Sequence, residues 1–458
     1  MNAHSSSDIS QEASVLSEYI SATLDRELPS DVVVKTKHHI LDTLAAILSG
    51  SRLRAGRLAA SYVEPIGGAS EALVIGTRLI VPVVNAALAN GMAGHADETD
   101  DSHLAGRFHP GCGIVPAALA MAEKQDRSGR DFLRAVALGY DVGARTTIAL
   151  GLHRPDTSRH STHSLGPAFG GAAAAAAILR LDSTQVRHVL SYSAQQASGI
   201  PFWQRDREHV EKAFDFGGMG ARNGVAAATM VAAGFSAVDD PFSGKHNLFT
   251  ALGENPDPSL MTAELGSRYE IMRASIKKWC VGSPIQAVLD AASFLVSTHS
   301  LRADDVKRIV ITMPDDRIHI VDNRTMPDVC VQHLAALAIL DGTITFESSH
   351  DHDRMNDPAI RALRGLIELV PSAELTAAVP ARQAIMEIET TDGRHLRHHA
   401  QAVRGTPENP MDTEEIEAKA RDLVTPIIGA DRAKMLIETV NRLEEVRSIR
   451  HLRELLTA

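Results

Sequence analysis

The sequence predicts a mainly α-helical protein, in which a large all-helical domain made from both ends of the chain carries a smaller inserted α+β domain. Three observations predict it. Hydrophobic residues make up 44% but aromatics only 4%, so the core is built from Ala, Val, Leu and Ile, and Ala and Leu are strong helix formers. Apolar residues recur at helical spacing through most of the first 266 residues and again after Gly405. Between these stretches, short runs alternate apolar and polar residues, as strands do. A length of 458 residues allows two or three domains at roughly 150 residues each.

The elements follow in order. A first helix is expected from Ile9 to Leu28. Pro29-Ser30-Asp31 then starts a second, whose Val34, Ile40, Leu41, Leu44 and Ile47 share a face until Gly50 stops it. An Ala-rich helix spans Val81 to His95, and a polar segment follows from Asp97 to Gly113. Pro116 suits a first helical position, leading Ala117 to Lys124. Further helices are expected at Asp131–Leu150, at Ser164–Leu181 with its run of alanines, from an Asp182-Ser183 cap to about Ala197, and at Phe216–Ala233. Strands are predicted at Tyr269–Ile276, Val306–Met313 and Ala384–Thr390. A Thr391-Asp392-Gly393 turn returns the last of these through His395–Val403. Helices at Pro284–Ser297 and Val329–Asp341 are interleaved. The expected domains are therefore 1–267 with 406–458, and 268–405. A cleft between two such domains is a natural ligand site.

Composition narrows the function. The formal charge is −11 and no Lys/Arg-rich run stands out, which argues against a nucleic-acid partner. Cys112, Cys280 and Cys330 form no CxxC pair, so neither a structural zinc nor a disulfide framework is expected. The polar start has no apolar signal region, and the small-apolar run Gly170–Leu179 is too short to span a bilayer. A cytoplasmic enzyme without membrane partners is expected. No GxGxxG with suitable flanks and no P-loop occurs, so nucleotide chemistry is not expected.

Five segments carry groups able to do chemistry. Residues 95–109 hold four carboxylates (Asp97, Glu98, Asp100, Asp101) and three imidazoles (His95, His103, His109), with Ser102 and Arg107 among them. Imidazole titrates near neutral pH and suits proton transfer. The spacing lacks a clean metal signature, and no metal is expected. Arg159-His160-Ser161-Thr162-His163 precedes the Ala-rich helix, whose positive dipole end favours a bound carboxylate. Lys212 precedes another Gly- and Ala-rich helix. Lys277-Lys278-Trp279-Cys280 and Cys330-Val331-Gln332-His333 complete the set.

In this order, the segments resemble the MmgE/PrpD family over nearly the whole chain. The family includes 2-methylcitrate dehydratase, cis-aconitate decarboxylase and iminodisuccinate epimerase. The resemblance implies a helical domain with a smaller α+β lid, a homodimer, and a cofactor-free site for a di- or tricarboxylate. An acidic HxxDxDDT-like motif matches His95, Glu98, Asp100, Asp101 and Ser102, with Glu and Ser where Asp and Thr are usual. His109, His160, Lys212 and Lys277 match the remaining motifs. Trp279 and Cys280 replace the aromatic and the Pro of the KxYP-like motif that Lys277 matches, and His333 stands where the decarboxylase branch has Tyr, which argues against that branch. With these replacements the chain looks more similar to the epimerase branch.

The expected function is therefore a cofactor-independent epimerase of an amino-dicarboxylate such as iminodisuccinate. One group removes the α-proton and another returns it on the opposite face. Lys212 and His160 are the first pair, with His109 and His333 in reserve. Glu98, Ser102, Arg107, His163 and Lys277 bind the carboxylates. The alternatives are a hydro-lyase of the 2-methylcitrate dehydratase kind, a cis-aconitate decarboxylase-like lyase, and a non-catalytic carboxylate binder. A thiol pair, Cys112 with Cys280, is the rival two-base scheme.

Overall fold

The computed structural model describes residues 9–152 and 160–458. The architecture is mainly α-helical with a small β component. The chain divides into two compact units, one of residues up to 274 together with 423–458, the other of residues 275–422.

In the first unit, α1 (Gln11–Ser21), α2 (Ser30–Gly50), α3 (Arg54–Val63) and α4 (Val83–Gly94) lead to α5 (Pro110–Gln125), α6 (Gly129–Ala149) and α7 (Thr162–Leu179). Then come α8 (Ser183–Gln195), a single turn α9 (Val210–Ala213), and α10 (Met219–Ala232). Helix α7 is the hub and packs against α5, α6 and α10. Ala172 to Ala177 are all buried. Their methyl-sized side chains let three helices close on one, which explains how a core so poor in aromatics still excludes water. Adding volume there, as in Ala174→Leu, is expected to cost about 1–3 kcal/mol by overpacking.

Capping fixes several boundaries. The Ser10 Oγ accepts the Ala13 N–H at the start of α1, and Asp182 forms a capping box with Gln185 at the start of α8. A single π turn, Phe214–Gly218, joins α9 to α10. Such wide turns are uncommon and cluster at functional sites. This one lies close against α4, and a Cβ on Gly217 would stand 2.1 Å from the Gly91 carbonyl oxygen. Only glycine allows that approach.

The second unit holds a four-stranded sheet, β1 (Val306–Pro314), β2 (Ile367–Ser372), β3 (Ala384–Thr390) and β4 (His395–Ala400), in the order β2-β1-β3-β4. Strand β2 runs parallel to β1, with Ile309 opposite Ile367. The other two pairings are antiparallel. Ile309, Ile311 and Met313 are buried while Lys307 and Arg308 face out. Helix α11 (Gln286–His299) packs on β3 and β4, and α12 (Val331–Asp341) packs on α11. Helix α13 (Thr413–Ile428) runs across the boundary at residue 422, and α14 (Ala430–Asn441) belongs to the first unit.

Several sequence expectations are corrected. The first helix ends at Ser21, and only a 3₁₀ turn at Thr23–Asp25 continues it. Val34 is exposed rather than on the buried face of α2. Pro110, not Pro116, takes the first position of α5, and Pro116 lies inside that helix. Of Tyr269–Ile276, only Ala274–Ser275 are a strand. Glu270–Arg273 forms a 3₁₀ turn, because the Asp141 carboxylate accepts the Glu270 N–H and pulls the backbone out of an extended run. Strand β2 was missed, since its proline and half-exposed pattern hide the strand signal.

Candidate active site

The segment from His95 to His109 leaves helical geometry after α4, yet all of it but Leu104, Ala105 and Arg107 is buried rather than a solvated loop. Burying so many charges requires partners, and two adjacent carboxylates supply them on different sides. Asp101 serves the scaffold. Its Oδ2 lies 2.7 Å from His39 Nδ1 and 2.6 Å from the Tyr140 hydroxyl, and its Oδ1 accepts the Gly111 N–H at 2.8 Å. This ties the first turn of α5 to α2 and α6. It also requires a glycine at 111, where a Cβ would meet Thr43 Oγ1 at 2.4 Å and Asp101 Oδ1 at 2.9 Å.

Asp100 serves the site. Its Oδ2 lies 2.9 Å from His95 Nδ1 and its Oδ1 lies 3.1 Å from His109 Nδ1. A carboxylate accepts only, so both rings carry their proton on Nδ1 and present an Nε2 lone pair. Burial opposes ionisation of Asp100, but the His109 and His95 rings outweigh it and hold the carboxyl well below its usual range. His95 is fully buried, and burial, only partly countered by Asp100, lowers its pKa to about 4.

An aromatic stack gathers the remaining groups. Phe216, in the π turn, lies parallel to His163 at 3.8 Å between centroids and nearly parallel to His95 at 4.2 Å. Two rings at those distances do not fit on one face, so Phe216 is sandwiched between them. His109 adjoins both imidazoles, at 4.9 Å from His95 and 5.5 Å from His163. Lys212 forms an ion pair with Glu98, and its Nζ lies 5.1 Å from the Phe216 centroid and 5.8 Å from that of Trp203. Burial first, then the neighbouring His109, His95 and Lys212, hold His163 well below its ordinary pKa. At neutral pH the His95 and His163 rings are thus uncharged beside the Asp100 carboxylate.

The structure brings together Lys212, Glu98, His109 and His163 of the residues singled out from sequence. His160 is half-buried just ahead of α7, and the ring stacked on Phe216 is that of His163. Arg159 lies outside the described residues. Arg107, at φ 53°, directs a guanidinium N–H to the Leu152 carbonyl at 3.1 Å. Ser102 is buried in a two-residue strand. His103 turns away from the cluster and faces Glu270 at 3.2 Å. Lys277 and His333 belong to the second unit, and both are buried. Burial, then Arg364 and Arg354, lower His333 to about 4. Cys112 directs its thiol at the His109 and Phe216 carbonyls, at 3.3 and 3.6 Å, so it braces the two site segments.

Sequence reasoning missed Phe216, His209 and Asp215. Asp215 accepts the Ser161 hydroxyl at 2.5 Å, fixing the residue between His160 and Thr162 to the π turn. Burial raises its pKa to about 6. No local pattern announces these residues, because their partners are distant in sequence.

Comparison with known proteins places this arrangement. The MmgE/PrpD N-terminal domain model matches residues 14–261, and the C-terminal domain model matches residues 279–445. The cis-aconitate decarboxylase-like protein oryM of Aspergillus oryzae is 24% identical, with 96% of each chain covered. Cis-aconitate decarboxylase of Mus musculus is 25% identical, over 94% of this chain and 90% of that one. The Aspergillus terreus cis-aconitate decarboxylase is 24% identical, over 94% and 92%. The buried acidic and histidine segment, the lysine and the stack are therefore features of a chain that belongs to the MmgE/PrpD family.

Proposed function

We propose that this protein is a lyase acting on a di- or tricarboxylate, with decarboxylation or dehydration as the reaction. The lyase reading, second to epimerisation on sequence alone, now takes first place, supported by relatives named cis-aconitate decarboxylase along almost their full length. The single observation that carries the chemistry is Asp100 holding His109 through Nδ1 in a buried cluster with Lys212.

Both reactions leave an electron pair on a carbon beside a carboxylate. In dehydration, a base takes the α-proton and an acid protonates the departing hydroxyl. In decarboxylation, CO₂ departs and a proton is then delivered to the carbon. His109 suits either role at that carbon. Asp100 fixes its tautomer and stabilises the imidazolium, as an aspartate does in a catalytic triad. The Lys212 ammonium offsets the developing negative charge, and burial strengthens that interaction. His163, kept neutral, donates its ring N–H to a substrate carboxylate. The site binds one small molecule of high negative charge, in a subunit taken to form a homodimer.

A second reading, epimerisation of iminodisuccinate, rests on the two imidazoles, His109 and His163, standing 5.5 Å apart as alternative proton carriers. The test is to incubate the purified protein separately with cis-aconitate, 2-methylcitrate and iminodisuccinate and follow each by proton NMR. Loss of CO₂ from the first, or alkene formation from the second, supports a lyase. Interconversion of iminodisuccinate stereoisomers, with the other two untouched, overturns it in favour of the epimerase.

A further inference from the structure

We propose that His95, Glu98 and His209 form a binding site for a divalent transition-metal ion of the zinc class, beside the cluster assigned to catalysis. The three residues each bring one ligand atom to within 4.8 Å of the others, and all three are buried. Asp100 occupies His95 Nδ1, so the nitrogen left for a ligand is Nε2. That atom and His209 Nε2 are both buried, and neither makes a hydrogen bond to any described residue. Two such unsatisfied ring nitrogens beside one carboxylate are a cost to the fold that an ion removes.

The surroundings are those of a metal ligand set. A ligating imidazole commonly gives its other N–H to a carboxylate, which orients the ring and raises its basicity, and Asp100 does this for His95. Asp97 acts electrostatically on the His209 ring together with Glu98, and Asp97 is held by the Thr99 N–H and hydroxyl. His209 reaches the position from a left-handed backbone, φ 57°, at the start of α9. Two imidazole nitrogens and a carboxylate oxygen match zinc, cobalt or nickel rather than magnesium or calcium. Metal–ligand distances of about 2.1 Å imply ligand separations of roughly 3.4 Å at a tetrahedral ion. The rings and carboxylate must therefore close by roughly an ångström or so. The second candidate trio, His95, Asp100 and His109, is already joined by hydrogen bonds and needs no ion. Lys212 competes for Glu98, so ion binding exchanges one cation for another at that carboxylate.

The test is titration of the EDTA-treated, dialysed protein with cobalt(II) chloride, read by visible absorption. One equivalent is expected to bind, with the intense bands of a low-coordinate nitrogen and oxygen site, and EDTA is expected to bleach them. His209→Asn keeps a residue that tolerates the left-handed backbone, and Glu98→Gln tests the same site from another segment. Each is expected to weaken binding at least tenfold. Absent bands at stoichiometric cobalt, or bands unchanged in both variants, would overturn the proposal. The readout is independent of turnover, so failure here leaves the lyase reading standing, and the reverse holds too.

Discussion

Asp100 and His109 are joined through Oδ1 and Nδ1 at 3.1 Å, while the other Asp100 oxygen holds His95. One buried carboxylate therefore sets the tautomer of two imidazoles. Asp100→Asn replaces one acceptor by an NH₂ donor, and a donor facing His109 Nδ1 forces its proton onto Nε2. Turnover is expected to fall by on the order of 10³-fold or more, as for the corresponding change in a triad. Thermal unfolding of the same variant checks that the loss is chemical. Near-normal kcat in a folded D100N variant would exclude the dyad.

Lys212 and Glu98 form an ion pair beside Phe216. Lys212→Ala removes the ammonium from the cluster and is expected to abolish measurable turnover while circular dichroism shows the fold intact. Lys212→Arg retains the charge but not its position, and recovers substrate binding more than kcat. Steady-state kinetics on both variants separates the two effects. Full activity in the alanine variant would remove Lys212 from the mechanism.

Away from the site, Asp141 Oδ1 accepts the Glu270 N–H and its Oδ2 accepts the Tyr19 hydroxyl at 3.2 Å. Burial, reinforced by the Glu270 carboxylate, raises Asp141 from 3.8 to about 7. The folded state therefore binds this proton more readily than the unfolded state. The group's contribution is fully present below about pH 4 and is lost as pH rises to about 7, with a slope of at most about 1.4 kcal/mol per pH unit. Asp141→Asn keeps an acceptor for Glu270 and cannot titrate. Urea unfolding at about pH 5 and about pH 8 is expected to show the variant gaining on wild type at the higher pH. Parallel profiles for the two proteins would contradict the shift.

Gly111→Ala places a methyl group 2.4 Å from Thr43 Oγ1 and 2.9 Å from Asp101 Oδ1, both on buried side chains. A stability loss of about 1–3 kcal/mol is expected, read as a lower urea midpoint at unchanged m-value. Because residue 111 sits two positions from His109, kcat falls as well. A variant with unchanged midpoint would show that the Asp101 network yields without cost.

Much of this was legible in the chain. The Ala-rich run from Gly170 announced the hub helix, because small side chains at helical spacing let neighbouring helices approach closely. The Thr391-Asp392-Gly393 turn announced the β3–β4 hairpin, where Gly393 has φ 89°. The dense segment 95–109 announced the candidate site, because it gathers four carboxylates and three imidazoles at a helix end. Position within the site was less legible. His163 rather than His160 stacks on Phe216, and helical phase at the first turn of α7 decides that. Phe216 reads as an ordinary apolar residue until a π turn rotates it between two imidazoles. His209 lies in a stretch without periodicity, so its approach to His95 is visible only in three dimensions.

In the proposed reaction His109, oriented by Asp100, handles the proton at the carbon beside a carboxylate. The most direct measurement is deuterium incorporation at that carbon in D₂O, followed by proton NMR for wild type and His109→Gln with whichever tricarboxylate the wild type consumes. The wild type is expected to give product carrying one solvent deuterium, or an exchanged α-position, and the variant to react at least roughly 100-fold more slowly. Equal rates and equal labelling in the two proteins would contradict it and move the proton to another residue.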